Sequence, residues 1–218
     1  MVAVSCRLRG MSEPASRRPL KSRNVPVFRV LAAKLAGAGV AADSISAAGL
    51  VFGIAGGAVL AATSQMDVRA AQVTCWLAAA ACVQIRLLCN MLDGMVAVEG
   101  GRKSRLGPLW NEIPDRVSDS ATLIGAGYAL GSVPELGWAA ALLAMMTAYI
   151  RAIGAQNGAG EAFLGWFSKP RRMFFVTVAC LASAVGFAVM PFVLGLIVAG
   201  SALTCVQRLV WIGGRIGR

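Results

Sequence analysis

The 218-residue sequence contains no histidine and few charged side chains, and each shortage argues against a class of protein. Only 14% of the residues are charged, whereas soluble domains carry about 25%, so the chain lacks the polar material to cover a globule in water. Without histidine or a CxxC spacing, its six cysteines do not suggest a zinc site. Any metal site must therefore use oxygen ligands, which favours magnesium, manganese or calcium.

Aromatic residues make up only 7% of the chain and are not interleaved with its basic stretches, so the net charge of +11 does not indicate nucleic-acid binding. The basic residues lie between apolar runs, where anionic lipid and cytoplasmic retention explain them better. Five cysteines lie inside apolar runs and are interpreted as small buried hydrophobic residues. They are Cys75, Cys82, Cys89, Cys180 and Cys205.

Hydrophobic residues are abundant, at 57% of the chain with a mean hydropathy of +0.69, and they form long runs. Four runs predict membrane spans, at residues 45–64, 71–92, 113–133 and 136–150. Residues 173–207 carry no charge. One helix of that length would measure about 52 Å against roughly 30 Å of hydrocarbon, so two helices that turn near residues 186–191 are predicted.

These runs predict an all-α integral membrane fold with six transmembrane helices and both termini in the cytoplasm. With helix ends counted with their loops, twenty of the twenty-one Lys and Arg residues fall on the cytoplasmic side and only Arg69 on the other, as the positive-inside rule requires. Residues 26–40 predict an N-terminal interfacial amphipathic helix. Residues 1–24 lack an apolar segment and predict a flexible basic cytoplasmic extension rather than a signal peptide, which leaves residues 25–218 as one membrane domain.

Two local patterns mark the first predicted span. Asp43 precedes it and is expected to be its N-cap rather than a cytosine contact. Gly49, Gly53 and Gly57 recur every four residues and predict that a neighbouring helix approaches closely.

Half of the ten acidic residues lie within 27 positions: Asp93, Glu99, Glu112, Asp115 and Asp119. Glu99 falls in a predicted loop and is expected to be solvated. An ionisable group at membrane depth costs about 2.5–3.5 kcal/mol even on lenient scales, so such groups are usually functional.

Helical spacing orders this acidic segment. Arg86, Asn90, Asp93 and Ala97 share one face of the second span, and Asn111, Asp115 and Asp119 share one face of the third. Carboxylates held so close repel each other unless a cation joins them, which predicts a divalent metal. Simpler explanations remain open: Asp115 and Arg116 neutralise their neighbours, and Asn90 forms a hydrogen bond between helices.

Residues 90–119 read NMLDGMVAVEGGRKSRLGPLWNEIPDRVSD and resemble the CDP-alcohol phosphotransferases, whose pattern is D-x2-D-G-x2-A-R-x8-G-x3-D-x3-D. The spacing matches without insertions. The family's first Asp, its Arg and its third Asp are replaced by Asn90, Val98 and Asn111. Glu112 and Asp119 add two carboxylates that the pattern does not require, which is typical of a divergent branch of the family.

The resemblance implies a membrane transferase of phospholipid biosynthesis that moves a phosphoalcohol group, expected to be phosphatidyl, from a CDP-linked donor to an acceptor hydroxyl and releases CMP. It implies two Mg²⁺ or Mn²⁺ ions, with Asp115 as general base and Asp119 as the second choice. The implied metal shell is Asn90, Asp93, Asn111, Asp115 and Glu112. The implied nucleotide- and substrate-binding residues are Gly94, Ala97, Gly107, Arg102, Lys103, Arg105 and Arg151.

The basic residues after the fourth span are candidates for binding an anionic acceptor such as a phosphorylated alcohol: Arg151, Lys169, Arg171 and Arg172. Topology alone also demands positive charges there. The resemblance further implies a homodimer in the bacterial inner membrane with its active site facing the cytoplasm. Two alternatives remain: a catalytically silent CDP-lipid-binding relative, and an ion-coupled transporter, although transporters usually place polar residues near the midplane.

Overall fold

The computed structural model describes residues 25–99 and 107–216. No strand occurs among these residues, and the all-α prediction is confirmed. The helices that they form are α1 (Pro26–Gly37), α2 (Ala42–Ala62), α3 (Arg69–Glu99), α4 (Gly107–Gly127), α5 (Pro134–Gln156), α6 (Lys169–Ala184) and α7 (Met190–Gly213). The predicted extension at residues 1–24 lies outside the described residues.

Four helices in the described ranges, namely α2, α3, α5 and α7, are long and apolar enough to cross a membrane. Helix α4 carries four charged residues between positions 112 and 119, and α6 has only 16 residues. Length and composition therefore do not identify these two helices as spans, and the count of six spans stays a prediction.

Some predicted boundaries were wrong. Helix α4 begins at Gly107 rather than at residue 113, and it ends at Gly127, before a turn in which Gly131 has a φ of 70°. Helix α3 continues to Glu99, and α1 ends at Gly37. Hydropathy locates where the chain is apolar, whereas a helix continues through polar residues as long as its backbone bonds persist. The predicted break in the run 173–207 is confirmed, because residues 185–189 separate α6 from α7.

Asp43 is not an N-cap. Ala41 occupies that position, no side chain caps the helix, and Asp43 lies inside the first turn of α2. Its negative charge there still interacts favourably with the positive end of the helix dipole.

Helix α2 packs between α3 and α4, and its glycines make this close packing possible. A Cβ added to Gly53 would lie 2.3 Å from the Cβ of Ser118 on α4, and one added to Gly57 would lie 2.2 Å from the Ala121 carbonyl oxygen. A Cβ on Gly49 would lie 3.1 Å from the Cβ of Cys89 on α3. The predicted close approach along this glycine stripe is confirmed.

We expect Gly57→Ala to lower the free energy of unfolding by about 1–3 kcal/mol, because the added methyl group overlaps the α4 backbone and forces the helices apart. Gly195→Ala on α7 is the matched control, since nothing lies within 4 Å of its added Cβ. Thermal unfolding in detergent measures both variants. Equal shifts in the midpoint would contradict the tight α2–α4 contact.

The helices run alternately up and down, which gathers the polar side chains of distant segments at one end of the bundle. At this end the start of α2 meets the end of α3 through Ser46 and Asp93, and the start of α6 meets α4 through Lys169 and Asp115. The opposite end holds Arg69, whose guanidinium donates to the Ala184 carbonyl at 2.8 Å. We call the end that holds Asp93 and Asp115 the acidic end.

Candidate active site

A small cavity opens at the acidic end, and α2, α3 and α4 all contribute to its wall. Arg86, Asn90 and Asp93 come from one face of α3, as predicted, and Asp115 comes from α4. The remaining lining residues are Ser46, Gly49, Leu50, Trp110, Pro114 and Ser118. Pro114 has no N–H to donate to the Trp110 carbonyl, so α4 lacks one backbone hydrogen bond at the cavity.

Asp93 is buried, with 4% of its surface exposed, and both of its carboxylate oxygens accept hydrogen bonds. The Ser46 hydroxyl donates to Oδ2 at 2.7 Å, and the Gly94 N–H donates to Oδ1 at 2.5 Å. These two donors fix the orientation of the carboxylate. Sequence reasoning missed Ser46 because it lies 47 positions away on another helix, and no spacing rule connects the two residues.

Asp115 is the most heavily contacted carboxylate of the cavity. The Lys169 ammonium pairs with Oδ2, the Asn90 amide donates to Oδ1 at 2.7 Å, and Arg86 Nη2 lies 3.3 Å from Oδ1. Arg116 is more distant, at 3.8 Å. Asn90 also accepts a hydrogen bond from Lys169 at 3.0 Å. The simple roles left open for Asn90 and Arg116 are therefore both present, alongside the shared cavity.

Arg86 links this cavity to Asp119, one turn deeper on α4. Its side chain is 1% exposed, its Nη2 lies 2.5 Å from Asp119 Oδ1, and its Nε donates to the Ser118 hydroxyl at 3.0 Å. Within the described residues, Asp119 accepts no hydrogen bond on either oxygen, and its ion pair is with Arg86. Arg86 is thus a buried counter-ion for two carboxylates.

Glu112 belongs to a separate ion-pair cluster near the end of α5. Its Oε1 lies 2.6 Å from Arg151 Nη2 and its Oε2 lies 3.3 Å from Arg116. Arg151 also reaches Glu161 at 3.2 Å. The Arg151 and Arg116 guanidinium groups together neutralise this partly buried carboxylate.

The four candidate acceptor-binding cations have different surroundings. Arg151 and Lys169 face carboxylates, as described above. Arg171 donates to the Trp166 carbonyl at 2.7 Å and lies over the indole ring, while the buried Arg172 donates to the Phe167 carbonyl at 2.6 Å. These two arginines therefore hold the segment between α5 and α6 in place.

The other predicted site residues are only partly described. Gly94 and Ala97 follow Asp93 on α3 and are partly buried, and Val98, at the family's Arg position, is 65% exposed. The side chains of Glu99 and Asn111, together with the surroundings of Gly107, fall outside the part of the chain that the structure describes. So do three basic residues of the same motif: Arg102, Lys103 and Arg105.

The donor chemistry at the cavity fits a hard divalent cation. Two carboxylates, Asp93 and Asp115, and the Asn90 amide line the same space, and oxygen donors of this kind suit Mg²⁺ or Mn²⁺. Among the described residues no three acidic or cysteine side chains come close enough to hold an ion by themselves. The Asn90 amide oxygen, which accepts a hydrogen bond from Lys169, is a further candidate ligand beside the two carboxylates.

Comparison with known proteins supports the assignment that the motif suggested, although no protein-family model matches the chain. The phosphatidylinositol phosphate synthase of Mycobacterium tuberculosis is 32% identical over 151 residues, which cover 62% of this chain and 68% of that protein. The protein of the same name from Mycobacterium marinum is 28% identical over 211 residues, covering 90% of this chain and 85% of its own length.

Solved structures show the same fold. The Mycobacterium tuberculosis phosphatidylinositol phosphate synthase with CDP-DAG bound superposes with a TM-score of 0.72 at 23% identity, over 88% of this chain and 96% of that one. The structure of the same enzyme in complex with manganese and citrate superposes with a TM-score of 0.72 at 24% identity, over 87% of this chain and 90% of that one.

The chain belongs to the CDP-alcohol phosphotransferase family. It is a multi-pass membrane enzyme of phospholipid biosynthesis that transfers a phosphoalcohol group from a CDP-linked donor to an acceptor hydroxyl and releases CMP. The resemblance drawn from the motif is confirmed. Neither a transporter nor a silent relative is favoured by these comparisons.

Proposed function

We propose that this enzyme transfers a phosphatidyl group from CDP-diacylglycerol to a phosphorylated alcohol, and that the reaction takes place in the cavity at the acidic end. The observation that carries the proposal is the convergence of Asn90, Asp93 and Asp115 on one cavity, at the motif's spacing. The solved relative with CDP-DAG bound supports the donor. The names of the relatives, which describe a synthase of phosphatidylinositol phosphate, support a phosphorylated acceptor.

Asn90, Asp93 and Asp115 would hold the divalent cation, Mg²⁺ or Mn²⁺, and Asn111 is the remaining position of the motif. When bound, the cation neutralises the diphosphate of the donor and the charge that develops on the departing CMP. The pattern of the family implies two ions. Glu112 remains a candidate ligand for the second, although its carboxylate pairs with Arg151 and Arg116.

We assign the general base to Asp115, because it lines the cavity beside the other motif residues. It would accept the proton of the acceptor hydroxyl as that oxygen attacks phosphorus. Asp119 is the second choice, and its ion pair with the buried Arg86 supports a structural role. Ser46 and the Gly94 N–H would keep Asp93 oriented during the reaction.

The remaining motif residues are assigned to the substrates. Gly94, Ala97 and Gly107 would let the nucleotide approach the backbone closely. A basic residue of the segment between α3 and α4 would replace the arginine that the family has at position 98. The candidates are Arg102, Lys103 and Arg105. Arg151 would bind the acceptor phosphate through its partly exposed guanidinium, and the phosphate would replace a contact with Glu112 or Glu161.

For the membrane arrangement, we propose that α2–α7 form six spans in the bacterial inner membrane, with both termini and the acidic end facing the cytoplasm. The gathering of the basic site residues at one end, opposite Arg69, supports this orientation. Helix α1 would lie in the interface, since its Val27 and Val30 are exposed. The homodimer rests on the family resemblance.

We expect purified protein given CDP-diacylglycerol and Mn²⁺ to release CMP with inositol phosphate or glycerol 3-phosphate, and much more slowly with inositol or glycerol. A cationic acceptor site discriminates strongly, because an acceptor without the phosphate forms no charge-assisted hydrogen bonds with the arginine. CMP measured by chromatography gives the rates. Equal rates with both kinds of acceptor would refute the phosphorylated acceptor, while CMP from another CDP-alcohol alone would refute the donor.

A further inference from the structure

The Lys169 ammonium lies between two oxygens that the metal shell requires. It pairs with Asp115 Oδ2 and donates to Asn90 Oδ1 at 3.0 Å. These residues occupy the first and last ligand positions of the family pattern. Lys169 itself starts α6 and lies 79 positions from Asn90, so the tertiary fold brings this charge into the shell.

An ammonium and a divalent cation cannot both occupy the space between the same two oxygens. Both are attracted by the Asp115 charge, and at this distance they would repel each other strongly in a partly buried site. Binding of a metal at Asn90 and Asp115 therefore requires that the Lys169 ammonium leave.

The two buried cations of this site differ in their freedom to move. Arg86 is fixed by Ser118 and Asp119, and only 1% of its side chain is exposed. Lys169 has a flexible four-carbon stem and a side chain that is 15% exposed, so it can withdraw toward the surface of the acidic end. Lys169 is thus the cation that a metal can displace.

We propose that Lys169 is a built-in competitor for the divalent metal: its ammonium neutralises Asp115 in the metal-free protein and is displaced when the metal binds at Asn90 and Asp115. The inference rests on the proposed metal site. It explains how a site that has lost two of the family's aspartates keeps Asp115 paired without a metal. It also implies that Lys169 weakens metal binding.

The test is a titration of the metal-free, detergent-solubilised protein with Mn²⁺. The electron paramagnetic resonance signal of unbound Mn²⁺ measures how much of the ion the protein binds. We expect Lys169→Met to bind Mn²⁺ about ten-fold or more tightly than the wild type, the scale of losing one like charge at close range. Arg171→Met is the matched control, since it removes a positive charge two residues away whose guanidinium donates to the Trp166 carbonyl and lies over the Trp166 ring. Its Mn²⁺ affinity should equal that of the wild type.

The outcomes separate this inference from the metal site itself. The inference is supported if Lys169→Met, but not Arg171→Met, binds Mn²⁺ more tightly than the wild type. It is also supported if Lys169→Met binds Mn²⁺ and the wild type binds none. Wild-type binding that Lys169→Met leaves unchanged or weakens overturns the competition but leaves the metal site standing. If neither protein binds Mn²⁺, the inference and the proposed metal site both fail, while metal-independent CMP release would still uphold the transferase. Lys169→Gln, which keeps a polar side chain, replaces Lys169→Met if the latter does not fold.

Discussion

Replacing Asp115 with asparagine is expected to lower the rate of CMP release by about 10²–10⁴-fold, the contribution of a general base. The substitution keeps the shape of the side chain and removes its proton-accepting charge. It also removes a carboxylate that we assign to the metal shell, so the loss should fall at the upper end of that range. The measurement is CMP release at saturating donor and acceptor in Mn²⁺.

The control for Asp115→Asn is Glu135→Gln, because Glu135 lies in the first turn of α5, at the end of the bundle away from the cavity. We expect this control to retain its rate. Measuring CMP release by Asp119→Asn in the same assay distinguishes the two candidate bases, Asp115 and Asp119. If Asp119→Asn lost activity while Asp115→Asn stayed within ten-fold of the wild type, the assignment of the base would be wrong.

Arg86→Met is expected to lower the free energy of unfolding by about 3–5 kcal/mol, the cost of leaving a buried charge without its partner. Arg86 is almost fully buried and pairs with Asp119 at 2.5 Å and Asp115 at 3.3 Å. Asp115 keeps Lys169 as a partner, whereas Asp119 loses the only ion pair described for it. Unfolding by SDS titration in mixed micelles measures the loss.

The double variant Arg86→Met/Asp119→Leu should recover most of that stability, because replacing both members of a buried ion pair by apolar side chains is often neutral. Arg69→Met, at the opposite end of the bundle, serves as a control with a much smaller expected loss, since Arg69 is exposed. A double variant less stable than Arg86→Met would show that the Arg86–Asp119 pair does not account for the loss.

The sequence predicts the parts of the site that lie on single helices. A step of three or four residues places side chains on one face of a helix, and Arg86, Asn90 and Asp93 do line the same cavity. Ser46 and Lys169 join them from other helices, 47 and 79 positions away. Their positions depend on how the helices pack, which periodicity within one helix does not encode.

Charge repulsion between carboxylates likewise does not identify the cation that joins them. Clustered carboxylates at membrane depth were predicted to require a cation, and cations are indeed present, although Arg86 and Lys169 of the chain itself supply them. Repulsion requires only positive charge and does not distinguish a metal from a lysine. Because Lys169 belongs to α6, a distant segment, only the fold reveals that its ammonium reaches the Asn90 and Asp115 oxygens.

The most direct test of the central claim is CMP release from CDP-diacylglycerol by the purified wild-type protein, with Mn²⁺ and with an excess of chelator, beside Asp93→Asn. Our account predicts release that needs the metal and an acceptor and that Asp93→Asn abolishes, since this carboxylate lines the cavity and Ser46 orients it. Release that Asp93→Asn leaves unchanged, or no release by folded wild-type protein with any acceptor, would contradict the claim that this cavity is the active site.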